Sequence, residues 1–434
     1  MRELSIDIET FCSVDIGKSG LFKYVQSPDF EILLFAYAFD NEPVQIIDLA
    51  QGEQLPKELV TALADKNVIK TAYNATFEWY CLNKFWSSPL EQWRCTMVKG
   101  LYCGYPAGLA SIGNAMGIAE DKKKLASGKA LIRKFSLPCK PTKTNGGRTR
   151  NLPKHEPEQW NLFKTYCMQD VVTEREIKNI LDKIVFPEKE QKLWKIDTLM
   201  NAYGVKIDKK LVEGAIKIDM ARTEELLTEA VKLTGLNNPN SVTQLKEWIE
   251  TVTGEGISSL NKSEIPEILK NSNDKNVKRV LEIRQELSKT SVKKYQAMEN
   301  AVCLDERVRG LLQYYGANRT GRWAGRLVQI QNLPRNYLTT LNLARELVKN
   351  QKIENLKILY GNVPDTLSQL IRTSFVAPEN YTFAVADFSA IEARVISWLA
   401  GEQWRLDVFK THGKIYEASA SQMFRSSNGK DKKR

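Results

Sequence analysis

The chain has 434 residues, enough for two or three domains each with its own core. With 63 Lys and Arg against 52 Asp and Glu, the net charge of +11 fits a polyanionic partner, and it fits ordinary surface charge equally well. Seven scattered cysteines with no C-x-x-C pair exclude a disulfide framework and a zinc ribbon, and two histidines, His155 and His412, leave histidine-based metal sites and Ser-His-Asp relays poorly supplied. Chemistry on this chain has to run on carboxylates and oxygen-loving metals.

The first predicted element is the strand LSIDIETF. Its alternation sends Leu4, Ile6 and Ile8 to one face and projects Ser5, Asp7 and Glu9 from the other. Two carboxylates this close repel unless protonated or bridged by a cation such as Mg²⁺ or Mn²⁺, although a lone D-x-E is also a common edge-strand charge pair. Met1-Arg2-Glu3 leads directly into this strand, which reads as no secretory signal, and no apolar run is long enough to span a bilayer. Further strand patterns, FEILLFAYAFD, VQIIDL and VIKTAYN, alternate with helical stretches up to about residue 185, which predicts a mixed α/β domain.

The third of these strands runs into Asn74 and Glu78. Asn74 reads either as a site residue or as a turn residue before a helix. Lys122, Lys123 and Lys124, and the stretch KPTKTNGGRTRNLPK from Lys140 to Lys154, read either as basic loops along a phosphate backbone or as solvated loops. Tyr166 and Asp170 fall in a predicted helix, where residues four apart share a face.

Pro187 marks a break, after which the pattern is almost wholly helical to about Leu312. One predicted helix closes at Gly204, a long one covers KKLVEGAIKIDMARTEELLTEAVKL, and Ser241 caps a third. From Tyr314 onward the pattern returns to loop and strand, punctuated by Pro334, Pro364 and Pro378. A short strand is predicted at Phe383 to Ala386, ending on Asp387, followed by a helix that opens with Glu392. The terminal SSNGKDKKR has no apolar periodicity and reads as a disordered basic tail.

Taken in order, these motifs resemble the family A DNA polymerases of the polymerase I type, particularly those of phages. Asp7 and Glu9 match the D-x-E motif of that family's 3′→5′ proofreading exonuclease, Asn74 to Glu78 resembles its N-x-x-x-F/Y-D motif, one residue shorter and with glutamate in place of aspartate, and Tyr166 to Asp170 matches its Y-x-x-x-D motif. The resemblance implies two-metal phosphodiester hydrolysis, with Asp7, Glu9, Glu78 and Asp170 as ligands of two Mg²⁺ or Mn²⁺ ions and Tyr166 orienting the attacking water. In TGRWAGRLVQIQNLPR, residues Thr320, Arg322, Gln331, Asn332 and Arg335 match the family's T-G-R…Q-N-x-P segment, which contacts primer–template. Asn318, Arg319 and Arg326 are further candidates for phosphate contacts. DFSAIEAR matches motif A of the polymerase site, which implies that Asp387 binds the palm metals and Glu392 closes the space of a ribose 2′-hydroxyl. Phe388 is implied as a carbonyl contact, Ile391 as packing beneath the sugar and Arg394 as a helix anchor.

The implied fold is an α/β ribonuclease H-like exonuclease domain (1–186), a mainly α thumb (187–313) and the first part of an α+β polymerase palm (314–425), with the basic tail at 426–434. The family's R-x-x-x-K-x-x-x-F-x-x-x-Y-G fingers helix and H-D-E turn do not occur, and Lys414 stands where an acid is usual. The chain therefore reads as a fragment, a truncated frame or half of a split polymerase, competent by itself for 3′ hydrolysis but not for synthesis. The implied partners are DNA primer–template and single-stranded 3′ ends, with dNTPs only once the polymerase site is completed. The reading makes it a cytoplasmic monomer without membrane contact, in the host cytoplasm if phage-encoded. Two rival readings are a stand-alone 3′→5′ exonuclease of the same carboxylate class and a catalytically silent DNA-binding replication scaffold, the latter turning on whether Glu78 can serve in the metal cluster.

Overall fold

The computed structural model describes residues 2–124, 128–261, 263–317 and 319–424; Asn318 and the SSNGKDKKR tail lie outside them. The chain forms two compact units, Met1–Val376 and Ala377–Arg434.

The first unit begins with a five-stranded sheet built from β1 (Arg2–Phe11), β2 (Glu31–Phe39), β3 (Gln45–Asp48), β4 (Val68–Ala72) and β5 (Trp93–Cys95). The strand order is β3-β2-β1-β4-β5: β2 runs antiparallel to β1 and β3, while β1, β4 and β5 are parallel to one another. The near-continuous apolar run of β2 is explained by burial on both faces. On one side Leu4, Ile6 and Ile8 join Phe35, Tyr37 and Trp93. On the other, Leu34, Ala36 and Ala38 pack under Trp160, Phe163, Cys167 and Val171 of the helix Pro157–Leu181. Those four helical positions recur every three or four residues, the spacing of one helical stripe, and Pro157 fits the first turn because its missing N–H has no acceptor there anyway.

The pairing of β1 with β2 slips between Glu9 and Thr10, so that Glu9 faces Leu34 and Thr10 faces Ile32. Such a bulge bends a strand and re-aims its side chains, and here it falls beside a candidate acid.

As the sequence predicts, a helix starts after Pro187, runs from Glu188 to Tyr203 and closes at Gly204 with a positive φ of 67°. A Cβ at Gly204 would stand 2.6 Å from the Val308 carbonyl oxygen, so both the conformation and the close approach call for glycine. Trp194 of this helix and Tyr314 join the core beneath the sheet. The helix Lys209–Thr234 is capped by Asp208, whose carboxylate accepts from the Leu211 N–H at 3.1 Å, and it packs Leu211, Ala215 and Ile218 against Met298, Val348 and Leu367. Ser241 caps the helix Val242–Thr253 by accepting from the Gln244 N–H. The chain then forms an antiparallel hairpin of Leu312–Ala317 and Arg322–Gly325.

In the second unit, three helices, Ile391–Leu399, Gln403–Thr411 and Ile415–Phe424, follow an extended segment. The strand predicted at Phe383 to Ala386 does not form: these residues belong to no ladder, and Val385 is 91% exposed. Apolar alternation favours a strand only where a neighbouring strand supplies the hydrogen bonds, and among the described residues none does. No described helix is long and apolar enough to cross a membrane.

Candidate functional site

Asp7 and Glu9 leave the sheet from β1, Glu78 from the helix Thr76–Leu82 that follows β4, and Tyr166 and Asp170 from the long helix lying across the sheet. Three segments far apart in sequence thus meet because parallel β1 and β4 deliver their C-terminal ends to the same end of the sheet, beneath one helix face. Glu9, Glu78, Tyr166 and Asp170 are buried, and Glu78 is only 3% exposed.

The electrostatics follow from that placement. Burial, then the adjacent Asp170 charge, pushes the Asp7 carboxyl well above the usual carboxylate range. Burial also raises Glu9, with Asp7 and Asp170 adding to it, and raises Glu78, with Asp7 and Glu9 adding to it. Asp170 is raised by burial and pulled back by Lys124, whose ammonium donates to Oδ2. The same ammonium stands 4.7 Å from the centre of the Tyr166 ring. Tyr166 is pushed upward by burial and by the surrounding acids, so its hydroxyl keeps its proton and remains a donor.

Two buried oxygens of these acids, Glu78 Oε2 and Asp170 Oδ1, have no hydrogen-bond partner among the described residues. Among the described residues no three Asp, Glu, His or Cys side chains stand in a metal-ready cage. Orphaned buried carboxylate oxygens, like charges that depress one another's ionisation and an all-oxygen donor set nevertheless fit a hard divalent cation. Asp7, Glu9, Glu78 and Asp170 are the side chains able to hold it.

Sequence reasoning missed two neighbours. Glu174 lies four residues beyond Asp170 on the same helix, is 2% exposed, accepts from the Thr96 hydroxyl and is pushed up to about 7 by burial. Its spacing from Tyr166 and Asp170 was a usable signal. Lys124 stood out only as part of a basic run, because its place beside Asp170 depends on the path of the chain between β5 and the long helix. The lysine run is not an unpaired basic strip: Lys122 pairs with Glu176 at 2.6 Å, Lys123 with Glu120 at 2.7 Å and Lys124 with Asp170. In the second basic stretch, Arg150 pairs with Glu31 at 2.5 Å and covers the Phe11 ring.

Asn74 has a positive φ of 70° in the turn between β4 and the Glu78 helix and is exposed. It lines a cavity with Gly20, Asp197 and Arg326. Thr320, Arg322, Gln331, Asn332 and Arg335 occupy exposed positions on the 312–325 hairpin and the turn after it. That scaffold is fixed from below. Trp323 Nε1 donates to Asp197 at 2.8 Å, Gln331 Nε2 donates to the Trp323 carbonyl at 3.1 Å, and Arg372 holds the Leu333 and Pro334 carbonyls at 2.8 Å each. Gly321 turns the hairpin at φ 65°, where a Cβ would collide with the Tyr315 ring at 2.8 Å.

Asp387 is exposed at the end of the extended segment of the second unit, and Glu392 lies in the first turn of the following helix. Arg394 holds this corner together, donating to the Ser389 carbonyl at 2.8 Å and covering the Phe409 ring at 4.4 Å. Phe388 and Ile391 are 81% and 47% exposed.

The family model for DNA polymerase family A matches residues 212–434. A DNA polymerase of Bacillus phage SP02 is 58% identical over 427 residues, covering 98% of this chain and 65% of the relative. DNA polymerase I of Pseudomonas aeruginosa is 39% identical over 54 residues, 12% of this chain and 6% of that protein. Among solved structures, the POL domain of Pol1 from M. smegmatis, in complex with DNA primer-template and dNTP, has a TM-score of 0.55 at 14% identity, covering 98% of this chain and 63% of that one. The chain therefore spans just under two thirds of the phage relative (65%) and of that solved structure (63%).

Proposed function

The chain belongs to DNA polymerase family A, of phage-like type, and from that premise we propose that it acts on DNA primer–template, removing 3′ nucleotides at the acid cluster and, once the polymerase site is completed, serving DNA-directed DNA synthesis through the Asp387 segment. The observation that carries the exonuclease half is the convergence of Asp7, Glu9, Glu78 and Asp170 with two orphaned buried oxygens beside the Tyr166 hydroxyl. The sheet order β3-β2-β1-β4-β5, with β2 as the antiparallel member of the central trio, supports assigning residues 1–186 as a ribonuclease H-like domain. We assign 187–313 as the thumb and 314–425 as the beginning of the palm.

In this reading the four carboxylates hold two Mg²⁺ or Mn²⁺ ions, which supply charge neutralisation at the scissile phosphate and a nucleophile at neutral pH. The residues of the chain do the rest. Burial of Glu9, Glu78 and Asp170 excludes bulk water and strengthens every charge interaction around the phosphate. The Tyr166 hydroxyl, kept protonated, donates a hydrogen bond that orients the attacking water. Glu78 replaces the shorter aspartate of the family pattern, and its location at the start of a helix beside β1 lets the longer arm reach the same cluster. Exposed Thr320, Arg322, Gln331, Asn332 and Arg335 meet phosphate oxygens and minor-groove acceptors without reading sequence. In the second unit, Asp387 is the palm metal ligand and Glu392 the group set against a ribose 2′-hydroxyl.

A 5′-labelled primer annealed to a longer template tests the exonuclease assignment. With Mg²⁺, the purified chain should shorten the primer stepwise from its 3′ end, and Asp7→Ala should abolish this. An unchanged primer on DNA that is demonstrably bound would replace the exonuclease with a DNA-binding scaffold.

A further inference from the structure

Lys124 does not reach the acid cluster by chance. The segment that carries it is pinned along one face of the helix Pro157–Leu181: Gln169 Nε2 donates to the Asp121 carbonyl at 3.1 Å, the Thr173 hydroxyl donates to the Lys122 carbonyl at 2.8 Å, and Lys122 pairs with Glu176 at 2.6 Å. Positions 169, 173 and 176 recur at helical spacing, so residues 121 and 122 are held against the helix on both sides of Asp170 in its sequence. Beyond it, Gly128 lies so close to the Tyr166 ring that a Cβ there would stand 2.1 Å from a ring carbon. The ammonium therefore arrives on a built support, with its side chain 25% exposed and that of Asp170 only 6%.

We propose that Lys124 is a built-in counter-cation for the acid cluster, holding Asp170 and Tyr166 in place and competing with a divalent cation for Asp170. This rests on the metal reading of the same site. A lysine is suited to the role because it is a compact point charge on a flexible stem, able to leave Asp170 without unfolding the segment that bears it. The run of three lysines thus has a division of labour: Lys122 anchors the segment, and Lys124 supplies the charge. Lys124 acts through Asp170, so it is a positioning residue.

The test uses the full chain with Lys124→Met, which keeps the length and loses the charge, Lys124→Arg, which keeps the charge, and each combined with Asp170→Asn. Melting is measured in EDTA, and Mn²⁺ uptake is measured by titration calorimetry. Lys124→Met should melt lower than the unsubstituted chain in EDTA, with Lys124→Arg restoring most of the loss and Asp170→Asn removing the difference between Lys and Met. Mn²⁺ should bind Lys124→Met roughly tenfold more tightly, because a positive charge no longer repels the incoming ion. Melting in EDTA that is insensitive to Lys124→Met, or Mn²⁺ binding that weakens, would overturn the proposal. If melting falls as expected but neither protein takes up Mn²⁺, the counter-cation role stands and the metal reading of the cluster falls instead.

Discussion

The acid cluster on the N-terminal sheet and the hairpin of residues 312–325 both concentrate polar side chains, yet they hold them in opposite ways. Glu9, Glu78 and Asp170 are buried, burial and then neighbouring acids raise Glu9 and Glu78, and two carboxylate oxygens lack a hydrogen-bond partner among the described residues. Asn332 and Arg335 are exposed on a scaffold whose own hydrogen bonds are met from below by Asp197 and Arg372. Buried like charges store an electrostatic cost that a small, hard cation relieves, whereas exposed donors stay solvated until a polyanion displaces water and counterions. In the proposed reading the first arrangement serves chemistry on one phosphodiester, and the second a grip along many.

Substitutions that separate the two regions should do so most sharply at the cluster. Asp7→Ala or Asp170→Ala should slow 3′ hydrolysis by on the order of a thousandfold or more, since ligands acting as one unit fail together, while DNA affinity in a gel-shift assay is unchanged. Loss of DNA binding in parallel would merge the regions that the comparison separates. Glu78→Gln should be similarly severe, whereas Glu78→Asp, which shortens the arm by one methylene, should keep hydrolysis within about tenfold of the starting rate.

The cluster also makes a pH-dependent stability prediction through Glu174, buried and raised from 4.5 to about 7. A carboxyl whose folded pKa lies above its unfolded value contributes stability that is complete below the unfolded value and is lost as pH rises through the folded one. In EDTA, stability should therefore fall between about pH 4.5 and 7. The Glu174 contribution to that fall is roughly 3 kcal/mol, and Glu174→Gln should flatten the slope by that amount in denaturant titrations. An unaltered slope would show that Glu174 carries no charge penalty.

The smallest effects belong to the hairpin. Arg335→Ala should reduce the slope of log affinity against log salt by about 0.9 if it meets one phosphate, and weaken binding similarly for all sequences. Hydrolysis of short single-stranded ends should not change with it, nor with Asp387→Ala.

Two pairs within the cluster were legible from local periodicities, while their union with Glu78 came from the resemblance to the family's motifs. The alternation of LSIDIETF put Asp7 and Glu9 on one face, and the four-residue spacing of Tyr166 and Asp170 put both on one helical stripe. Pro187, Gly204 and Ser241 marked helix ends for reasons of backbone chemistry that hold in any context. Lys124 was not legible as a partner of Asp170, because a pairing across 46 residues depends on how a loop is pinned rather than on any local pattern. The strand read into Phe383 to Ala386 failed for a related reason. Its apolar alternation is local, but a strand exists only with a neighbour, and Val385 and Phe388 are left 91% and 81% exposed.

The most direct test of the central claim is anomalous diffraction from crystals grown with Mn²⁺ and a nucleoside monophosphate. The account expects two Mn²⁺ peaks ligated among Asp7, Glu9, Glu78 and Asp170, with the phosphate against them and the Lys124 ammonium moved off Asp170. An acid cluster without Mn²⁺ at saturating metal, with Lys124 still on Asp170, would contradict it.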